Sequence, residues 1–335
     1  MAKKKNKPKD KPKAKKVEQT LHIMQASLRV FDPLDQRRAD IEYALSQDAD
    51  VVCFTESGEA ETRGVIQAQA LMHGYAHVLF TPGDSQLAVK LKGPPDARLK
   101  AKGGVMVSAA IPGSFGPRYV RWARFAWYDQ DIWMHAAHWV FIPHVESSHG
   151  ELTALHTKTT NTMCAQVKKH GQGDSISFFA GDINVDEGAD NALDHPNMPN
   201  YIFRANGLLT IWDELHVNPP ITVEHSTFDI IGCYRPDKQV AGTRYIVHPK
   251  QNSDHRFVSA FYTVDVSKKV VTGGGGGDGG DGDGGGTGAD PTTDDDPGVS
   301  DPDFYATGGN IDWSDYLDNE LYPLPHASGD SQYGG

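Results

Sequence analysis

The sequence has few cysteines and no long apolar segment. Its three cysteines, Cys53, Cys164 and Cys233, lie far apart and have no metal-ligand spacing. A sparse, odd number of cysteines is typical of a reducing compartment. No stretch approaches the roughly 20 apolar residues that a membrane-spanning helix needs. No apolar run follows the lysines at the start, so we expect no secretory signal and a soluble, cytoplasmic protein.

Charge of each sign is concentrated at one end of the chain. Residues 1–16 contain nine lysines and one aspartate, whereas residues 273–335 contain thirteen aspartates, one glutamate and no lysine or arginine. Glycine-rich and highly charged segments cannot bury enough apolar surface to fold. We therefore predict a disordered Lys-rich arm (1–17), a folded domain (18–268), a disordered Gly/Asp-rich linker (269–302) and an acidic-aromatic tail (303–335).

Both ends suggest partners, and each also has a simpler interpretation. A lysine-rich arm has the composition that binds nucleic acid or anionic surfaces by releasing counterions. The same composition also suits an arm that only keeps the protein soluble. In the tail, residues 311–321 combine aromatic and acidic side chains and indicate a short helix that docks on a protein partner. A tail with no specific role is the alternative.

The middle of the chain has the pattern of an α/β protein. Residues 21–31 read as a strand, followed by a helix with Asp32 as its N-cap and Pro33 in its first turn. The next segment, DADVVCFTE, is typical of a strand buried on both faces. Candidate strands between residues 104 and 141 follow one another without helices, which indicates antiparallel pairing. Together these patterns predict mixed β-sheets with helices outside.

Two candidate site residues lie at or near strand ends. Glu56 ends DADVVCFTE, where a carboxylate can hold a hard cation, although a solvated loop acid is the commoner outcome. His138 lies in the apolar segment IWMHAAHWVFIP, three residues after His135. Successive side chains of a strand alternate between faces, so this spacing places the two histidines on opposite faces. They are therefore not expected to form a metal pair.

Two short motifs follow later strands. In GDIN, Asp182 and Asn184 would place an anionic group beside a neutral donor, which suits activation of water next to a phosphate. An Asx turn is the structural alternative. In SDH, Asp254 can bind a cation and His255 can donate a proton. Asp229, in STFDIIGCY, is placed to orient His255 and to favour its charged form.

The order of these features resembles the endonuclease/exonuclease/phosphatase (DNase I-like) superfamily. The resemblance covers residues 21–266 and rests on Glu56, GGVMVSA, His138, GDIN, the FDIIGCY strand with Asp229, and SDH. GDIN and SDH in this order, about 70 residues apart, form a fairly specific combination. The resemblance implies an α/β (α+β) fold, a four-layer sandwich of two mixed β-sheets flanked by helices.

The resemblance also implies a role for each site residue. It gives Glu56 and Asp254 as ligands of Mg²⁺ or Mn²⁺ and Asp182 as the group that orients or deprotonates water. Asn184 would steady the phosphate, and His255 with Asp229 would bind phosphate and handle a proton. His138 would be the other active-site histidine. Ser27 stands where the family usually has an asparagine near the metal and the phosphate. A serine is shorter, so it would need a water molecule to reach them.

The predicted function is a metal-dependent phosphodiesterase, with DNA as the leading substrate. The lysine-rich arm favours a polyanion, and Trp122, Trp127 and Trp139 are candidates for stacking on bases, although core positions suit them better. The folded part is mildly acidic, whereas a DNA enzyme usually has a basic face. The alternatives are a phosphatase or phospholipid diesterase, and a weakly active binding or assembly protein.

Overall fold

The computed structural model describes residues 16–79, 85–91, 98–109, 116–140, 149–184, 198–223, 227–234 and 240–267. The predicted Lys-rich arm, apart from its last two residues, and the predicted linker and tail lie outside these ranges. All three cysteines are free and buried. No helix in the described ranges is long and apolar enough to cross a membrane.

The described residues form strands and helices in mixed order. The strands are β1 (Lys16–Ser27), β2 (Val51–Thr55), β3 (His77–Leu79), β4 (Gln86–Val89), β5 (Arg98–Ser108), β6 (Arg118–Trp127), β7 (Gln130–His138), β8 (Ser175–Asp182), β9 (Leu208–Thr210), β10 (Asp229–Tyr234), β11 (Val240–Val247) and β12 (Val258–Ser267). The helices are α1 (Leu34–Ser46), α2 (Ala60–Met72), α3 (His149–His170), α4 (Pro199–Ala205) and α5 (Ile211–Leu215).

The strands build two six-stranded sheets. The first has the order β11-β12-β1-β2-β4-β3 and the second β5-β6-β7-β8-β10-β9. Each sheet has one parallel pair, β1 with β2 and β7 with β8, among antiparallel neighbours. Helices α1 and α2 pack on the first sheet, and α3 packs on the second. The predicted sandwich of two mixed sheets flanked by helices is confirmed.

Alternation along β1 shows how the layers are made. Leu21 and Ile23 lie in the core shared by the two sheets, whereas Met24 and Ala26 pack beneath α1 and α2. Because side chains alternate between faces, the position that follows Ile23 on the inner face is Gln25, and the next is Ser27. The inner face of β1 therefore changes from apolar to polar as the strand approaches its end.

The start of α1 differs from the prediction. The predicted strand 21–31 ends at Ser27, and α1 begins at Leu34 with Pro33 as its N-cap. Pro33 has extended backbone angles, and no side chain caps the helix. The prediction that Asp32 is the N-cap is therefore wrong. The backbone N–H of Asp32 instead donates to the carbonyl of Arg29 at 3.0 Å, which closes a turn.

Candidate active site

Strand register brings three site residues together on the second sheet. His138 at the end of parallel strand β7 and Asp229 at the start of antiparallel strand β10 are both paired with Asp182, the last residue of β8. Ser27, the last residue of β1, contributes a hydroxyl from the facing sheet. The site therefore lies at one edge of the sandwich, where strands of both sheets end.

Asp182 lies at the centre of this group and is fully buried. Its Oδ2 accepts a hydrogen bond from Ser27 Oγ at 3.0 Å and lies 3.7 Å from Nε2 of both His138 and His255. Its Oδ1 accepts the backbone N–H of Asn184 at 2.9 Å. The Asx turn and the clustered site therefore coexist, because each uses a different oxygen. Burial raises the pKa of Asp182, and the charge of His255 opposes that shift.

Ser27 reaches Asp182 directly, and its expected water-mediated contact with a metal or phosphate stays a prediction. Ser27 is also held through its backbone, since its carbonyl accepts a hydrogen bond from Ser253 Oγ at 2.9 Å. Gln25, two residues earlier, donates from Nε2 to Asp229 Oδ1 at 3.3 Å and to Thr55 Oγ1 at 2.9 Å. The inner face of β1 thus supports two carboxylates of the other sheet.

His255 is a buried histidine that carries a positive charge. Its Nδ1 donates to Asp229 Oδ2 at 2.8 Å. Burial alone would lower the pKa of His255, but the carboxylates of Asp229, Asp182 and Glu56 outweigh burial and raise it to about 10. The ring is therefore an imidazolium at neutral pH, with its Nε2–H facing Asp182. This arrangement agrees with the predicted orienting role of Asp229.

His138 is buried and neutral. Burial, and then the charge of Arg118, lower the pKa of His138 to about 4, although Asp182 and Glu56 act in the opposite direction. Its Nε2 lies 2.7 Å from Asn184 Nδ2, which also donates to the carbonyl of Trp139 at 3.0 Å. One ring nitrogen of a neutral histidine keeps a lone pair, so His138 can act as an acceptor or metal ligand.

Arg118 is a site residue that the sequence reasoning missed. It is the first residue of β6, is buried, and places Nη1 3.4 Å from His138 Nδ1. Burial lowers the pKa of Arg118 to about 10, while Asp182 and Glu56 oppose the shift, so the guanidinium stays charged at neutral pH. The sequence shows an arginine at the start of β6, the strand before the one that carries His138. Only the antiparallel register of β6 and β7 indicates that this arginine lies beside His138.

Two site residues have left-handed backbone angles. Glu56 has φ of 53° and Asn184 has φ of 51°, and neither is a glycine. This conformation costs roughly 1–2 kcal/mol for most side chains and less for asparagine. Such strain tends to be found at functional sites. At Glu56 it accompanies a hydrogen bond from the backbone N–H of Val30 to Oε2 at 3.0 Å.

Among the described residues, two groups of side chains have the proximity that a metal ion requires. One is Glu56, His138 and Asp182, and the other is Asp182, Asp229 and His255; in each group the ligand atoms lie within 4.8 Å of one another. The first group offers two carboxylates and a neutral imidazole, which fits a divalent cation. The second fits poorly, because a charged His255 has no lone pair to give.

Asp254 lies at the rim of the site. Its side chain is 43% exposed, and its Oδ2 lies 3.7 Å from Nε of Arg29. It belongs to neither group of candidate ligands among the described residues. The structure therefore brings together seven of the predicted residues, and the metal-binding role of Asp254 stays a prediction. The seven are Ser27, Glu56, His138, Asp182, Asn184, Asp229 and His255.

The tryptophans suggested for stacking on bases have other positions. Trp127 and Trp139 are buried in the core, and Trp139 Nε1 donates to Thr160 Oγ1 at 3.0 Å. Trp122 packs against Trp133 and His170 on the second sheet. The interpretation as core residues is therefore confirmed for Trp127 and Trp139. Trp122 belongs to the aromatic cluster with Trp133 and His170.

Comparison with known proteins gives structural matches only. No protein-family model matches the sequence, and no curated protein matches it significantly. TDP2 from D. rerio, complexed with a single-strand DNA product, matches with a TM-score of 0.56 and 15% identity over 72% of this chain and 98% of that chain. Two proteins from Bacteroides thetaiotaomicron are also similar.

The first is an endonuclease/exonuclease/phosphatase family protein, with a TM-score of 0.56 and 15% identity over 75% of this chain and 100% of that chain. The second is a mannosyl-6-phosphatase, with a TM-score of 0.51 and 16% identity over 72% of this chain and 98% of that chain. At these identities the similarity concerns the fold. The described chain therefore has the fold of the endonuclease/exonuclease/phosphatase (DNase I-like) superfamily.

Proposed function

We propose that the chain is a metal-dependent phosphoester hydrolase that cleaves phosphodiester bonds of DNA with an activated water molecule. The observation that carries this proposal is the position of Asp182 Oδ2, buried and 3.7 Å from Nε2 of both His138 and His255. A buried carboxylate between a neutral and a charged histidine places a proton acceptor beside a proton donor. Both groups can accelerate hydrolysis of a phosphoester, the acceptor at the attacking water and the donor at the phosphoryl or leaving oxygen.

The charge of each residue indicates the role that it would have in hydrolysis. Asp182 Oδ2 would accept a proton from the attacking water. The Nε2–H of His255 would donate to a phosphoryl oxygen and balance its negative charge. The guanidinium of Arg118 would add a donor on the other side of Asp182, and Asn184 Nδ2 would steady the phosphate by exchanging one of its two present hydrogen bonds. Most of the rate enhancement would come from positioning and charge stabilisation, and no covalent nucleophile is needed.

A divalent cation fits the group formed by Glu56, His138 and Asp182, with Glu56 and His138 as its ligands and Asp182 beside it for the attacking water. Mg²⁺ or Mn²⁺ held there would neutralise phosphate charge and help to orient the substrate. The backbone N–H of Val30 holds one oxygen of Glu56. That hydrogen bond fixes the carboxylate and leaves its other oxygen for a ligand.

DNA is supported as the substrate by two observations. One structural neighbour, TDP2, is complexed with a single-strand DNA product. The lysine-rich arm adds about eight positive charges that suit a polyanion. A small phosphomonoester is the second candidate, because another neighbour is a mannosyl-6-phosphatase. The folded part is also mildly acidic, which suits a small substrate better than a polymer.

Hydrolysis assays with the full chain test the proposal. Supercoiled plasmid, single-stranded DNA, RNA and mannose 6-phosphate would be incubated with Mg²⁺ or Mn²⁺, with EDTA as a control. We expect metal-dependent cleavage of DNA that Asp182→Asn reduces at least about 100-fold. Asp174→Asn, at an exposed acid in the turn before β8, should retain activity. Turnover of mannose 6-phosphate alone would favour the phosphatase, and no turnover by folded protein would favour a binding role.

Metal binding gives a readout that does not depend on turnover. Calorimetry with Mn²⁺ would compare Glu56→Gln with Asp254→Asn. We expect the larger loss of affinity for Glu56→Gln, because Glu56 belongs to the compact ligand group whereas Asp254 is paired with Arg29. Equal affinities for wild type and Glu56→Gln would contradict the assignment of Glu56 as a ligand.

A further inference from the structure

We propose that Phe31 and Arg29 form a subsite that holds a nucleobase of the substrate beside the scissile phosphoester. This inference deepens the proposed function and rests on it, since it assigns the group attached to the phosphate. The subsite is the turn between β1 and α1, at residues 29–32. It would distinguish nucleotides from sugar phosphates, which present hydroxyl groups and no aromatic face.

The turn is fastened to the active site at two points. Its second residue, Val30, donates its backbone N–H to Glu56 Oε2 at 3.0 Å. Its first residue, Arg29, places Nε 3.7 Å from Asp254 Oδ2, in the residue next to His255. A hydrogen bond of 3.0 Å from the N–H of Asp32 to the carbonyl of Arg29 closes the turn, with Val30 and Phe31 at its centre.

Phe31 packs little against the described part of the chain. Its side chain is 88% exposed, the largest value among the exposed large hydrophobic residues of the described chain. Leu28, directly after β1, is fully buried and already fills the core there. The central positions of tight turns usually carry glycine, asparagine or other polar residues. An exposed phenylalanine beside a catalytic cluster therefore points to a ligand.

The chemistry of the turn fits a nucleotide. Aromatic side chains stack on nucleobases without strong sequence preference, since every base has a π-face. Arg29, whose side chain is 48% exposed, lies two residues away with its Nε 3.8 Å from Asp32 Oδ1 and 3.7 Å from Asp254 Oδ2. Its Nη1 and Nη2 would contact the phosphate attached to that nucleoside. The pair therefore matches the two parts of a nucleotide, its planar base and its anionic linkage.

Equilibrium binding tests this subsite independently of cleavage. Fluorescein-labelled oligothymidylate and an oligomer of equal length with abasic spacers would be titrated with the full chain in EDTA. Stacking on one aromatic ring predicts at least about fivefold tighter binding of oligothymidylate. Phe31→Ala should remove this preference, whereas Phe31→Trp, which keeps an aromatic ring, should retain it. Met72→Ala, at a residue that is 82% exposed at the end of α2, should match the wild type.

Three results would overturn the subsite. They are absence of binding to both oligomers, an equal affinity of the wild type for both, and a base preference that survives Phe31→Ala. Cleavage assays on the same two oligomers separate this inference from the proposed function. Metal-dependent cleavage without any base preference would remove the subsite and keep the hydrolase. A base preference lost in Phe31→Ala, without cleavage by the wild type, would keep the subsite and remove the hydrolase.

Discussion

Nδ1 of His255 lies 2.8 Å from Oδ2 of Asp229, and both residues are buried. The two come from different sheets, since Asp229 begins β10 and His255 precedes β12. Their pairing keeps the imidazolium charged inside the protein, where burial alone would make the ring neutral. The charge of His255 therefore depends on a carboxylate that does not need to touch the substrate.

Replacing Asp229 tests this dependence. In Asp229→Asn the pKa of His255 should fall from about 10, because the negative charge that opposes burial is removed. His255 would then lose its proton at a lower pH than in the wild type. The alkaline limb of the pH–rate profile should therefore shift to lower pH. We expect about a 100-fold decrease in kcat/KM at pH 8. NMR titration of His255 measures the pKa directly. Asp265→Asn, on β12, is a matched control, and an unchanged titration of His255 in Asp229→Asn would contradict this account.

Arg118 should act on both His138 and the substrate. Arg118→Met removes the charge that helps to lower the pKa of His138, so that pKa should rise above about 4. Affinity for inorganic phosphate should fall by about tenfold, the usual size of a lost charged hydrogen bond. NMR titration and calorimetry measure the two effects. Arg124→Met, on the same strand and paired with Asp131, should leave both unchanged. If His138 titrates alike in Arg118→Met and wild type, Arg118 has no such role.

Asp40 on α1 braces the loop that carries the SDH motif. Its carboxylate is buried and accepts hydrogen bonds from the N–H of Asn252 at 3.0 Å, from Asn252 Nδ2 at 2.8 Å and from the N–H of Ser253 at 2.8 Å. Asp40→Ala should lower the free energy of unfolding by about 1–3 kcal/mol, because buried donors lose their acceptor. Amide hydrogen exchange at residues 252 and 253 should become faster. Asp35→Ala, at an exposed acid of the same helix, should have neither effect, and unchanged exchange in Asp40→Ala would refute the brace.

A buried histidine pair should make stability depend on pH. His135 Nε2 lies 2.9 Å from His170 Nδ1, and burial chiefly lowers the pKa of His135 to about 3 and that of His170 to about 4. A lowered pKa in the folded state contributes stability above pH 6.5, and this contribution is lost as the pH falls toward 4. In His170→Phe, which retains an aromatic ring beside Trp133, the urea midpoint should fall less between pH 7 and pH 5. An unchanged fall would show that the pair does not titrate on unfolding.

The fold was predictable where pattern and local chemistry agreed. Strands β6 and β7 lie in the segment 104–141, where consecutive antiparallel strands were predicted, and buried and half-buried positions largely alternate along β6. Helix α2 was not predicted: of its side chains only Thr62, Ile66 and Ala70 are buried, and Gly64 interrupts the pattern. A weak apolar stripe gives little helical signal in a sequence.

The site was predictable from its motifs but not from its supports. The GDIN and SDH residues could be identified because each motif is contiguous. Gln25 reaches Asp229 across 204 positions of sequence, and Arg118 reaches His138 through strand register. Such contacts depend on how two sheets are packed against each other, which local pattern does not specify. The SDH motif also suggested Asp254 as a metal ligand, which stays a prediction, and the motif alone did not indicate that Arg29 lies beside it.

The division of the site between the two sheets has a consequence for the stability of the whole domain. Ser27, Glu56 and His255 come from the first sheet, whereas His138, Asp182 and Asp229 come from the second. A ligand held by both sets would act as a non-covalent cross-link through the sandwich. Sliding one sheet over the other would break its bonds, so occupancy of the site should resist separation of the halves. Saturation of this edge with such a ligand should therefore raise the melting temperature of the entire fold.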